Sequence, residues 1–146
     1  DGELVMFESG AMVQYLVDRY GNGKLQPEIG TADHALYLQW SWFAEATFSR
    51  PLGEVVNHGR EFPGDKQIPE VVEEMKNRAS LSLDAVADEV ANKEYLVANS
   101  FSAADIMMGY TIMLADRLLG KPLPKKILPY WERLSEREGY QIAQKA

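Results

Sequence analysis

The sequence predicts an all-α fold, a helical bundle preceded by one short strand and one helix. Three observations carry that expectation. Apolar residues recur three and four apart over most of the chain from Thr31 onward. Gly and Pro cluster at only a few points, where they separate long periodic stretches. The one stretch that reads as a strand, Glu3 to Phe7, is short, apolar and bounded by Asp1-Gly2.

The elements follow in order. Glu3 to Phe7 is expected as the strand, and a single strand makes no sheet, so its partners must come from elsewhere. The opening at Asp1 reads as a start in mid-fold. A helix is expected over Ser9 to Tyr20, with Ala11, Met12, Tyr15 and Leu16 as its apolar stripe and Gly21 and Gly23 stopping it. The segment Asn22 to Gly30 carries Gly and Pro and reads as the connection between two units. Thr31 is a natural N-cap for the next helix, whose inward residues would be Leu36, Trp40, Phe43 and Thr47. Pro51 should end it. Residues 53–69 hold Gly59, Pro63, Gly64 and Pro69 and read as a long connection. A second long helix then turns Val72, Met75, Ala79, Leu83, Val86 and Val90 inward, and presents Glu70, Glu73, Glu74, Asp84, Asp88 and Glu89 to solvent. Three shorter helices close the chain, near Ser102 to Leu118, Pro124 to Arg137 and Gly139 to Lys145.

Composition narrows the classes of function. The 146 residues suffice for a domain with a real core, and 46% hydrophobic with 25% charged residues is ordinary for a globular protein. A net charge of −7 argues against a nucleic-acid surface, which needs clustered Lys and Arg. The absence of cysteine excludes disulfides, thiolate metal sites and a Cys nucleophile within these residues. No apolar run approaches the roughly 20 residues of a membrane span. His34 and His58 are too few and too far apart for a metal site, so no metal is expected.

Two short constellations stand out. Glu8-Ser9 lies where the strand runs into the first helix. A helix start presents unpaired backbone N–H groups and partial positive charge, which suit a carboxylate, while a neighbouring Glu suits an ammonium. One spot that offers both fits an amino-acid head group. The competing reading is a plain helix cap, for which Ser is a common choice. The second constellation is Phe101-Ser102-Ala103-Ala104-Asp105-Ile106. Ser102 at the N-cap and Asp105 three residues on form a capping box, flanked by Phe101 and Ile106 where a hydrophobic staple would sit. These are folding residues. Elsewhere Tyr37 and Trp42 fall off the stripe of Trp40 and Phe43, and with Arg50 they are expected to line an apolar groove for a hydrophobic substrate. Met107, Met108 and Met113 read as core filler. No Gly-x-Ser-x-Gly elbow or phosphate loop occurs.

These motifs resemble a known family. Leu4 to Leu16, with Glu8-Ser9 at its centre, is similar to the Glu-Ser motif of glutathione transferases. Tyr95 to Ile106 resembles that family's capped central helix. Leu128 to Leu134 followed by Arg137-Glu138-Gly139-Tyr140 resembles its C-terminal pair of helices, with Glu138-Gly139 where many members have Pro after the Arg. The resemblance implies that residues 1–24 are the end of a thioredoxin-like, glutathione-binding domain and residues 31–146 the all-helical domain. It implies that Glu8 and Ser9 bind the γ-glutamyl group, and that Ser102 and Asp105 act as a structural cap. It implies a cytoplasmic homodimer engaged in detoxification, which joins the thiolate of glutathione to a hydrophobic electrophile. Glutathione would be the substrate, with no cofactor, nucleic acid or membrane partner. The residue that stabilises the thiolate would lie in an N-terminal segment that these residues do not include, so the chain alone would be inactive. The alternative is a non-catalytic helical module of the same fold used for binding.

Overall fold

The computed structural model describes residues 1–145, so Ala146, the last residue of the unit expected over 31–146, lies outside them. Seven α-helices account for most of the described residues. Helix α1 (Ser9–Tyr20) has the expected bounds and ends where the Gly21 N–H donates to the Val17 carbonyl at 2.9 Å. Its packed face differs from the expected stripe. Val17 is buried and Gly10, Val13, Gln14 and Tyr15 are half-buried, whereas Ala11, Met12 and Leu16 are exposed. The helix is apolar on two sides, and the bundle takes the side where Gly10 lets Glu45 and Met107 come close. A Cβ on Gly10 would lie 3.6 Å from a Glu45 carboxylate oxygen and 3.7 Å from the Met107 methyl.

The stretch Glu3 to Phe7 forms no strand. It follows a turn closed by the Leu4 N–H on the Asp1 carbonyl, and no ladder partner stands beside it among the described residues. Strand geometry persists only with a neighbour to accept its backbone hydrogen bonds. Val5 and Phe7 are accordingly 91% and 82% exposed.

One unbroken helical run extends from Ala32 to Glu61, in three parts: α2 (Ala32–Trp42), a wider π-helical segment (Phe43–Phe48) and α3 (Ser49–Glu61). Thr31 caps it by accepting the His34 N–H at 3.2 Å. Its buried residues are Tyr37, Trp40, Ala44, Phe48, Pro51 and Leu52, while Leu36 and Thr47 of the expected stripe are exposed. The π segment explains the difference. Its extra residue per turn holds the inward spacing at four, and the buried line slips off the expected one. Pro51 does not end the run. It is buried just past the π segment, whose wide turn relieves its ring against the carbonyls behind it. Thr111 of α5 supports the segment by donating to the Ala44 carbonyl at 3.3 Å.

The expected connection over 53–69 shrinks to residues 62–68, with one short 3₁₀ turn (Gly64–Lys66). The Ile68 N–H donates to His58 Nε2 at 2.9 Å and fixes the return. Helix α4 (Pro69–Val90) packs back along α3 with the expected inner face, burying Ala79, Leu83, Val86 and Val90, with Val72 and Met75 half-buried. Its acidic face is solvated, apart from ion pairs of Glu74 with Arg78, Asp88 with Lys126 and Glu89 with Lys93.

Helix α5 (Ala103–Leu118) is the centre of the bundle and touches α1, α2, α3, α4 and α6. Ala103, Ala104, Met108, Ile112 and Ala115 are fully buried. Met113 is buried too, while Met107 is half-buried. Its capping box is present. The wholly buried Asp105 carboxylate accepts from the Ser102 N–H at 2.8 Å, the Ser102 hydroxyl at 3.1 Å, the Leu96 N–H at 3.0 Å and the Tyr130 hydroxyl at 2.9 Å. Burial first, then the Asp105 charge and its hydrogen bond, push the Tyr130 phenol well above the usual tyrosine value. Phe101 is half-buried beneath Arg137, whose guanidinium sits 3.4 Å from the ring centroid, and Ile106 stays partly exposed. The helix expected over 124–137 starts as a 3₁₀ turn (Lys125–Ile127) before α6 (Leu128–Ser135), and α7 (Glu138–Ala143) follows. Leu134 of α6 reaches Gly109 closely: a Cβ there would lie 3.3 Å from its Cδ1.

Candidate functional site

The Glu8-Ser9 pair stands at the start of α1. Glu8 takes φ 73°, a left-handed conformation that costs a non-glycine residue of order 1–3 kcal/mol. Its carbonyl accepts the Met12 N–H at 2.9 Å and so begins the helix. No side chain caps the N-terminus. The first turn therefore keeps its positive end and its backbone donors directed away from the helix. Both residues are exposed. The Ser9 hydroxyl donates to a Glu45 carboxylate oxygen at 3.4 Å, a long contact. The site thus pairs a partial positive charge and a hydroxyl with two carboxylates, Glu8 and Glu45.

Glu45 was not singled out by sequence reading. It sits in the π segment, three residues after Trp42, and both side chains line one groove. Together they flank a groove of about 400 Å³ between α1 and α2, lined by Val13, Gln14, Tyr37, Leu38, Trp42 and Glu45 among others. Trp42 is 63% exposed, whereas Tyr37 is buried and shows only part of itself to the groove. The Tyr37 hydroxyl donates to Gln14 Oε1 at 2.7 Å, and the Gln14 amide donates to Asp18 at 2.8 Å and Gln26 at 2.9 Å. Burial raises the Tyr37 phenol above its usual value, opposed by Ser41 and reinforced by the Asp18 charge.

Arg50 is not part of this groove. It stands two turns on, past the π segment, in a separate hollow between α3 and α4 with Glu54, His58 and Arg78. The structure brings Tyr37 and Trp42 together and leaves Arg50 apart, because the wider turn carries the later residues round toward α4. A third hollow, of about 760 Å³, opens between α5, α6 and α7 around Ile106, Tyr110, Arg137 and Tyr140. His34 stacks on Tyr37 and His58 packs on Phe62. Among the described residues no group of three or more His, Asp or Glu is placed to hold a metal ion. None of the described helices is long and apolar enough to cross a membrane.

No family model matches the chain. Known proteins do. Glutathione S-transferase 3 of Schizosaccharomyces pombe is 28% identical over 155 residues, which cover 98% of this chain and 64% of the relative. The chain therefore spans less than two thirds of that protein. A glutathione transferase structure from Methylococcus capsulatus aligns over 99% of this chain and 69% of its own, with 26% identity and a TM-score of 0.80. The glutathione transferase URE2P8 of Phanerochaete chrysosporium, crystallised with oxidized glutathione, aligns over 99% and 66%, with 24% identity and a TM-score of 0.84. On sequence and fold together, the chain is similar to glutathione transferases over nearly its whole length, and its helical bundle has the fold of their C-terminal domain.

Proposed function

We propose that the protein to which these residues belong conjugates glutathione to electrophilic substrates, and that Glu8 and Ser9 hold the γ-glutamyl end. The observation that carries this reading is the uncapped start of α1, with a hydroxyl and a carboxylate side by side in front of it. The ligand's α-carboxylate accepts from the first-turn N–H groups and the Ser9 hydroxyl, and Glu8 holds its ammonium. The strained backbone at Glu8 is consistent with a functional constraint there. The names of the relatives support the same reading. Residues 1–24 are taken as part of a thioredoxin-like glutathione-binding domain, and the exposed Leu4, Val5, Phe7, Met12 and Leu16 are the surface its sheet would cover. The groove at Tyr37 and Trp42 takes the hydrophobic co-substrate. A cytoplasmic homodimer is part of the proposal.

The test uses the protein expressed from its whole reading frame. Conjugation of glutathione to a chlorodinitrobenzene is followed by absorbance in the wild type, Ser9→Ala and Glu8→Gln. Each substitution should raise KM for glutathione about tenfold or more, the loss of one charge-assisted hydrogen bond. An unchanged KM in both variants would remove the pair from the site. Absence of any conjugation would remove the activity.

A further inference from the structure

The α1–α2 groove has a charge pattern that its apolar lining alone does not reveal. With Arg50 elsewhere, no Lys, Arg or His lines it among the described residues, whereas Asp18 and Glu45 both do. The two carboxylates sit at opposite ends. Glu45 lies against Ser9 and Gly10 at the start of α1, and Asp18 stands two turns further on, about 12 Å along the helix. They are not equally engaged. Asp18 accepts amide hydrogens from Gln14 and Gln26 on one oxygen. Glu45 is half-buried and has the single long bond from Ser9. Trp42, which lines the same groove, is exposed.

A half-buried carboxylate and an exposed indole that line one groove make a receptor for an organic cation. The ion pair and the cation–π attraction act on the same head group and strengthen as water is excluded. From that point Val13 and Leu38 provide an apolar path toward Tyr37. We infer that the groove selects hydrophobic cations, amphiphilic amines or quaternary ammonium compounds, whose head group sits between Glu45 and Trp42 and whose tail lies along Val13 and Leu38. An Arg in the groove would have favoured anionic ligands, and Arg50 stands outside it. The inference deepens the reading of this groove as a hydrophobic ligand site and does not depend on conjugation.

Three probes with one tail test it: hexyltrimethylammonium, hexanol and hexyl sulfate, titrated against tryptophan fluorescence of the protein expressed from its whole reading frame. The cation should bind about tenfold or more tighter than the alcohol, and the sulfate more weakly than the alcohol. Glu45→Gln should reduce the cation to the affinity of hexanol and leave hexanol itself unchanged, which also reports an intact groove. Arg50→Ala should alter none of the three. Equal affinities for all head groups, or a cation preference that survives Glu45→Gln, overturns the inference while leaving the groove reading in place. No binding of any probe overturns both, while the glutathione reading at Glu8-Ser9 is tested separately by the conjugation assay.

Discussion

Asp105→Ala tests the centre of the bundle. The carboxylate is wholly buried and accepts from two backbone N–H groups, of Leu96 and Ser102, and from the hydroxyls of Ser102 and Tyr130. Truncation leaves three of these donors, the two N–H groups and the Tyr130 hydroxyl, without a partner in a dry interior, while the Ser102 hydroxyl can rotate. Each unsatisfied buried donor costs about 1–3 kcal/mol, and removal of the buried charge returns part of the sum, so the net loss is about 4 kcal/mol. That is a large share of the 5–15 kcal/mol typical of a folded domain. With a urea slope of about 2 kcal/mol per molar, the unfolding midpoint should fall by about 2 M, read by circular dichroism. Asp105→Asn keeps one acceptor but turns an amide toward the Ser102 donors, and should fall between the two. A midpoint shift below about 0.5 M for Asp105→Ala, at unchanged slope, would refute the reasoning.

Tyr130 supplies a pH dependence of known sign. Its phenol is raised in the folded state, so above about pH 10 the unfolded chain loses this proton while the folded one keeps it. Its stabilising contribution is complete below that value and declines by about 1.4 kcal/mol per pH unit above it. Tyr130→Phe should be less stable at neutral pH by about 1–2 kcal/mol, through the lost bond to Asp105, and should lose stability less steeply in alkali. Urea midpoints for both proteins between neutral and strongly alkaline pH check this, and parallel curves would contradict it. Asn99 holds φ 50° and accepts the Glu94 N–H at 2.7 Å, so Asn99→Ala should cost about 1–2 kcal/mol. A melting temperature equal to that of the parent would count against that role. Ser102→Ala removes a hydroxyl from the same cap and should cost about 1 kcal/mol, well short of Asp105→Ala. A loss as large as that of Asp105→Ala would show that the hydroxyl, not the carboxylate, carries the cap.

Several parts of this molecule were legible before folding. The bounds of α1, the Thr31 cap, the inner face of α4 and the pairing of Ser102 with Asp105 all depend on residues within about four positions of one another, where spacing and capping chemistry act directly. The place of Glu8-Ser9 at the start of α1 was legible for the same reason, since the switch from a short apolar run to helical spacing marks the junction in sequence. Glu45 was missed because a lone Glu in an aromatic helix carries no local signal of what faces it.

Local spacing and capping chemistry specify a helical bundle, its caps and the candidate pair at the start of α1. Packing settled which side of α1 faces inward, since that helix has two apolar sides and the bundle takes the one that carries Gly10, Val13 and Val17. It also decided the register between Trp40 and Leu52, because a π segment changes the turn by one residue without any break in composition. Trp42 and Glu45 line one groove, and Arg50, beyond the π segment, lies in another. Helical periodicity is a local property, whereas the face and the register it is read in are set by what packs against it.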